Sequence, residues 1–416
     1  MAKSVTLTIL SFALIFTPLG ACSTKSESVQ KAAAQKHLFS HSSSMSASMQ
    51  TELLDFEHKR ILTKAANYIN APVETVTANI AERSQGSVHD FYSEGDYWWP
   101  DPENPNGPYQ VRDGESNPNN FLAHRKSLMR FSDLTATLTS AYLLTEDQKY
   151  ADATLHHLLA WFVNSDTKMN PSLLYGQVIK GRHTGRSIGI IDTIHLVEVA
   201  KSIEVLVQKN AISAQDFALL KTWFSTYLSW LNTHEYGTTE KNHPNNHGIT
   251  WSMQASAFAR LVGDTKTLSW VRKQFKQLYL KQMMNAQGGF DAELARTKPY
   301  GYSLFVLDAL AGVAELASTS DDNLWHYQYV DENGDTRSMA KGLTFIVPYI
   351  KDKTAWPYKR DIQYWDKWPA RHIALFLGAK HFNDNSYLRL YNSLNADPST
   401  YEVTRNLPIR HPLIWM

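Results

Sequence analysis

The feature that most constrains this chain is a helical period that returns, in pairs of segments, along nearly its whole length. Leu128, Phe131, Leu134, Leu138 and Tyr142 fall at steps of three and four, which places them on one face of a helix. Leu155, Leu159 and Phe162 mark the next segment, with Thr145-Glu146-Asp147-Gln148 read as the capping box that opens it. Helical segments follow at 190–209, 213–231, 248–261, 264–284 and from Leu304 to Ala317, with weaker ones near 339–350, 369–377 and 385–394. A first helix is expected over 51–70, and no stretch alternates convincingly as a strand would. Each amphipathic helix must bury its stripe against another. Antiparallel pairs repeated this often predict an all-α fold, an (α/α) toroid or incomplete barrel whose cleft is lined by loops at one end. An irregular helical bundle is the alternative.

The N-terminus reads as a targeting segment. Lys3 precedes an apolar run from Val5 to Phe16, too short to span a bilayer, and Leu19-Gly20-Ala21-Cys22 then resembles a bacterial lipobox. Cys22 is the only cysteine, so disulfides are excluded and packing must supply the stability. The expected organisation is a lipoprotein signal over 1–22, a Ser/Ala/Gln-rich tether over 23–50 and one toroid domain over 51–416. Lipidation at Cys22 would hold the domain on a membrane without a spanning helix, in the periplasm or on the outer membrane. With 41 Lys and Arg against 40 Asp and Glu, no global field draws in nucleic acid, and a polyanion would have to be met by a local basic cleft.

Between the helices lie three polar regions that could carry chemistry. A long irregular region, about 83–121, holds Trp98 and Trp99, which could stack on sugar rings or pin the loop to the core, and Arg112. The segment Gly181-Arg182-His183-Thr184-Gly185-Arg186 resembles a phosphate loop but lacks its Gly-Lys-Ser/Thr ending; a basic loop for substrate carboxylates competes there with plain surface. The third region has two parts, Lys241–Gly248 with Asn245, Asn246 and His247, and Glu293–Ser303 with Arg296, Tyr300 and Tyr302. His243 and His247 have a metal-ligand spacing, but Pro244 lies between them and no carboxylate accompanies them, so catalysis is expected without metal or cofactor. Asn246 and His247 have two readings: they cap the following helix, or their amide and imidazole donate hydrogen bonds to a substrate carboxylate.

At these residues the sequence resembles the alginate lyase superfamily of polysaccharide lyases. The matching pieces are Asp96-Tyr97-Trp98-Trp99-Pro100-Asp101-Pro102, Arg112-Asp113-Gly114-Glu115, Met169-Asn170-Pro171 with Tyr175-Gly176-Gln177, Asn245-Asn246-His247, and Glu293-Leu294-Ala295-Arg296 followed by Tyr302. The resemblance implies an (α/α) toroid, an anionic uronate polysaccharide as partner, and cleavage by β-elimination. Carried over by motif, Asn246 and His247 would neutralise the carboxylate, Arg296 would assist, and Tyr302 would be the acid/base. Trp98, Trp99, Arg112, Gln177, Arg182, His183 and Tyr300 would line the substrate. The segment joining Arg296 to Tyr302 is shorter than in the classical poly-mannuronate lyases, and Tyr-Trp-Trp-Pro-Asp-Pro with Pro-Tyr-Gly-Tyr-Ser looks closer to the glucuronan-lyase branch, polysaccharide lyase family thirty-eight. A tyrosine base needs its pKa lowered, and Arg296 or a protonated histidine is expected to do so.

Two other functions fit the same composition. A glycoside hydrolase would need two facing carboxylates, for which Asp90, Glu94, Asp101, Asp113, Glu115 and Asp291 are available. A non-catalytic glycan-binding lipoprotein would need the tryptophans and tolerate loss of His247 and Tyr302.

Overall fold

The apolar stripes do pair into a double ring of helices. The structure, a computed structural model, describes residue 1 and residues 45–416, and the fold lies within one unit, His41–Met416. Cys22, the signal segment and most of the proposed tether lie outside the described residues. The helices are α1 (Ala47–Tyr68), α2 (Ala123–Thr145), α3 (Gln148–Phe162), α4 (Leu196–Gln208), α5 (Ala214–Thr233), α6 (Glu235–Lys241) and α7 (Asn246–Val262). They continue as α8 (Thr265–Gln274), α9 (Asp291–Leu294), α10 (Pro299–Ala317), α11 (Met339–Lys351), α12 (Ile373–Phe382), α13 (Asn385–Ser393) and α14 (Tyr401–Arg405). α8 runs on as a π-helix over Phe275–Met283.

α2, α4, α7, α10 and α12 pack each against the next and form an inner layer, with α3, α5, α8, α11 and α13 outside them and α1 between α13 and α2. This is the (α/α) toroid. The inner helices are apolar or small on nearly every face because they are covered on all sides. α10 is apolar enough to cross a membrane by composition, yet it is a core helix with 94% of its apolar window buried in the fold. α7 and α10 approach closely at Gly312, which leaves room for the Met253 side chain. A Cβ on Gly312 would meet the Met253 sulfur at 2.6 Å.

Several boundaries differ from expectation. α1 begins at Ala47, where the Ser46 side chain accepts the Met49 amide, and Met45 and Met49 are buried, so the fold starts before residue 51. Thr145 ends α2 instead of capping α3; Glu146 turns left-handed at φ 55° and Asp147 is the cap. Three two-stranded sheets also occur: β1 (Tyr92–Glu94) parallel to β4 (Tyr175–Val178), β2 (Trp98–Trp99) antiparallel to β3 (Gln110–Val111), and β5 (Tyr329–Val330) antiparallel to β6 (Thr336–Arg337). Strands this short carry too few residues to show a period of two.

Burial holds the His157 imidazole at about 4, below its ordinary value of 6.5. Proton uptake therefore favours the unfolded chain. The stabilising effect is complete above about pH 6.5 and is lost as pH falls towards 4. Urea unfolding at stepped pH should show stability falling over this window, and His157→Gln should flatten the slope by at most about 1.4 kcal/mol per pH unit. An unchanged slope would remove His157 from the explanation.

Candidate active site

Two inner helices begin at the same cleft. α7 starts at Asn246 because the Asn245 side chain, on extended backbone, accepts the His247 amide at 3.0 Å. Only glycine fits two residues further on, since a Cβ on Gly248 would lie 2.3 Å from the His243 carbonyl oxygen. α10 starts with Pro299, which has no amide to leave unpaired, and Asp361 accepts the amides of Tyr300 at 2.8 Å and Gly301 at 2.9 Å. Asn246, His247, Arg296 and Tyr302 line one cleft of about 270 Å³ with Trp98 and Gln177. The first amides of both helices are taken by these acceptors, so an anion in the cleft would be met by side chains, with the positive ends of the two helix dipoles behind them.

Each polar side chain is held from behind. Buried Glu293 accepts from the Asn246 backbone at 3.0 Å and from its Nδ2 at 2.7 Å, leaving one amide hydrogen for a ligand. Glu240 lies 2.5 Å from Nδ1 of His247, which fixes the ring and turns Nε2 to other partners. Gln177, at φ 50°, is fixed between Arg186 at 2.8 Å and Asp192 at 3.2 Å.

The Tyr302 hydroxyl is 2.7 Å from that of Tyr97 and 3.3 Å from Nη2 of Arg296, whose guanidinium also sits 4.4 Å from the Tyr302 ring centre. Asp113 holds Arg296 at 2.6 and 3.2 Å. Lys298 and Arg405 each donate to the Tyr97 hydroxyl at 3.0 Å. Glu402 pairs with both of these cations, and Arg405 also pairs with Asp96. Burial pushes the Tyr302 phenol above its ordinary value, with Arg296 pulling the other way. Tyr97 is raised by burial and by the charge of Glu402. The expectation that a neighbouring cation would lower the Tyr302 pKa is thus corrected: burial outweighs Arg296 and holds the phenol above its ordinary value.

The remaining expected residues separate. Arg182 and His183 lie in a second hollow beyond Trp98. Trp99 and Arg112 stack on each other at 5.0 Å, and Trp99 Nε1 donates to the Glu115 carbonyl at 2.9 Å, so this pair pins the loop and stands outside the cleft. Tyr300 is fully buried, donates to the Tyr349 carbonyl at 3.0 Å and packs on Trp356 and Trp365; it is a packing group, not a substrate-lining one. Tyr302 lies within the first turn of α10 and not ahead of the helix. The His243 and His247 rings are 5.3 Å apart, and among the described residues no group of three or more His, Cys, Asp or Glu could hold a metal.

Sequence reasoning missed Tyr97, Lys298, Glu402 and Arg405. Tyr97 and Lys298 adjoin residues already singled out, and Glu402 and Arg405 share the i,i+3 spacing of an ion pair on a short helix. None of the six carboxylates considered for hydrolysis lines the cleft. The acids that do, Asp96 and Asp192, are both paired with buried Arg125, at 2.7 and 2.8 Å.

Comparison with known proteins bears on the fold and the family. No curated protein sequence matches the chain. The crystal structure of an alginate lyase from Bacteroides ovatus is similar, with a TM-score of 0.76 and 28% identity over 90% of this chain and 99% of that one. Two variants of alginate lyase A1-III, each complexed with a tetrasaccharide, share the fold at a TM-score of 0.55 and 15% identity, over 86% of this chain and 94% of theirs. The sequence model of the alginate lyase family matches residues 75–356, more than half of the chain. On that match the chain belongs to the alginate lyase family and is a polysaccharide lyase.

Proposed function

We propose that this lyase cleaves a β-1,4-linked uronate polymer, poly-mannuronate or glucuronan, by β-elimination. The observation that carries the reading is the convergence of Asn246, His247, Arg296 and the Tyr302 hydroxyl on one cleft with two helix starts. The C5 proton of a uronate becomes removable only when its carboxylate is neutralised, so that the developing enolate can be held. The spare Asn246 amide hydrogen and Arg296 are the donors for that charge, and His247, whose Nδ1 faces Glu240, joins them through Nε2 when its ring carries both protons. In mannuronate and glucuronate the C5 proton and the C4 oxygen lie on the same side of the ring. Tyr302 takes the proton, the C5 electron pair forms the C4–C5 double bond, the C4–O bond breaks, and Tyr302 returns a proton to the leaving oxygen. The neutral phenol suits the second half of this cycle. For the first half, the phenol first gives its proton to solvent, and Arg296 and Lys298, within 5.5 Å of the Tyr302 ring centre, stabilise the phenolate. That phenolate then takes the C5 proton and is regenerated when the leaving oxygen is protonated.

The names of the similar structures favour alginate, and the loop motifs favour glucuronan. Each polymer should be incubated with the protein and followed by ultraviolet absorbance. A rise in absorbance matching the new reducing ends is expected for at least one of them. New reducing ends without absorbance would mean hydrolysis and overturn the reading. The lipobox-like Leu19–Cys22 supports an anchored location outside the cytoplasm, where such polymers occur.

A further inference from the structure

The groove does not end at Trp98. A second hollow of about 700 Å³ shares this indole with the cleft and is walled by Tyr92, Tyr109 and the loop from Lys180 to Gly185. Two guanidinium groups lie near the indole. Arg182, on the side of the hollow, lies 5.5 Å from its ring centre, and Arg186, which lines the cleft, lies 5.8 Å away.

The loop is a built element. Ile179 and His183 bridge, the Tyr109 amide donates to the Lys180 carbonyl at 3.1 Å, and Arg182 Nε donates to the Tyr109 carbonyl at 2.7 Å. Gly181, at φ +73°, lies against Pro108, and Tyr236 donates to the Gly185 carbonyl at 3.0 Å. These contacts consume backbone groups and Nε. The Lys180 ammonium, the terminal nitrogens of Arg182 and the His183 ring stand exposed, with no ion pair recorded for them among the described residues. The one acid of the hollow, Glu94, is already occupied by Arg83 and Tyr92, each at 2.8 Å. Unpaired cations beside aromatic rings suit an anionic sugar, whose carboxylate meets the charge while its ring face meets the π-surface.

We propose that this hollow is a distal subsite that binds a uronate residue remote from the scissile bond, through Lys180 and Arg182, with the chain passing over Trp98. The proposal rests on the uronate-polymer reading above. It makes the enzyme favour long chains, because only they reach both hollows and gain the second contact as an intramolecular one.

The test is Lys180→Ala with Arg182→Ala, its fold checked by melting temperature, and Lys180→Gln as a milder second variant. Turnover is compared on uronate polymer and on its trisaccharide. The kcat/KM on polymer should fall roughly tenfold more than on trisaccharide, mainly through KM, with a shallower salt dependence. Equal losses on both substrates would overturn the proposal. Separately, the same substitutions are placed in the Tyr302→Phe protein and run through gels containing uronate polymer or neutral glucan. Weaker retardation by the uronate polymer alone is expected, and unchanged or absent retardation overturns the subsite. If the parent protein makes no ultraviolet-absorbing product, the substrate reading fails, while the gels still decide whether the hollow binds a polyanion.

Discussion

Tyr302→Phe should lose turnover by about 10²–10⁴-fold while KM for the polymer changes little, the signature of a group used in proton transfer and not in holding the substrate. The substitution removes one oxygen that bonds Tyr97 and Arg296 at the cleft and leaves the ring in place. Tyr300→Phe is the internal control. Its hydroxyl serves only the Tyr349 carbonyl, so the variant should lose stability of about 1 kcal/mol and little activity. Initial rates by absorbance, with substrate saturation curves for both variants, decide the matter. Near-normal kcat in Tyr302→Phe, or an inactive Tyr300→Phe of normal stability, would reverse the assignment.

The second large effect is expected at Glu402. Its side chain is 3% exposed and that of Lys298 is 5% exposed, so Glu402→Gln strands a buried ammonium beside the Tyr97 hydroxyl. Breaking a buried pair from one side costs about 3–5 kcal/mol. The variant should therefore unfold at markedly lower denaturant concentration. It should also lose kcat at temperatures where it remains folded, since Tyr97 then loses the frame that aims it at Tyr302. Wild-type denaturation and wild-type kcat together would show that the cluster is incidental.

The toroid was legible because nearly every helix of its two layers spends ten or more residues repeating one period, long enough to declare its buried face at Phe131, Leu220 or Leu268. The four residues carried over by motif do meet at one cleft, because they sit on or beside the starts of neighbouring inner helices. What escaped were contacts that no local pattern encodes. Glu402 and Arg405 belong to a helix of five residues, too short to show a stripe, and their meaning appears only when the ring brings α14 to Tyr97. Tyr300 and Tyr302 occupy one turn and have the same chemistry, so only the direction of each side chain separates a packing group from a cleft hydroxyl. The balance at Tyr302 was equally hidden, since the cation is written in the sequence and the depth of burial is not.

The reach from Tyr97 to Glu402 spans 305 positions along the chain. On a ribosome, the loop bearing Tyr97 emerges long before the segment that steadies it, and most of the ring can be wound while the cleft is still unfinished. Assembly of this corner of the cleft is thereby deferred to the last moments of folding, because a contact this distant must wait for the intervening helices to bring its ends together. A chain in which α14 has not yet docked already holds most of its helices and lacks this corner of the cleft. Helicity alone is therefore a poor gauge of whether a preparation of this enzyme is whole, and a turnover assay is the better one.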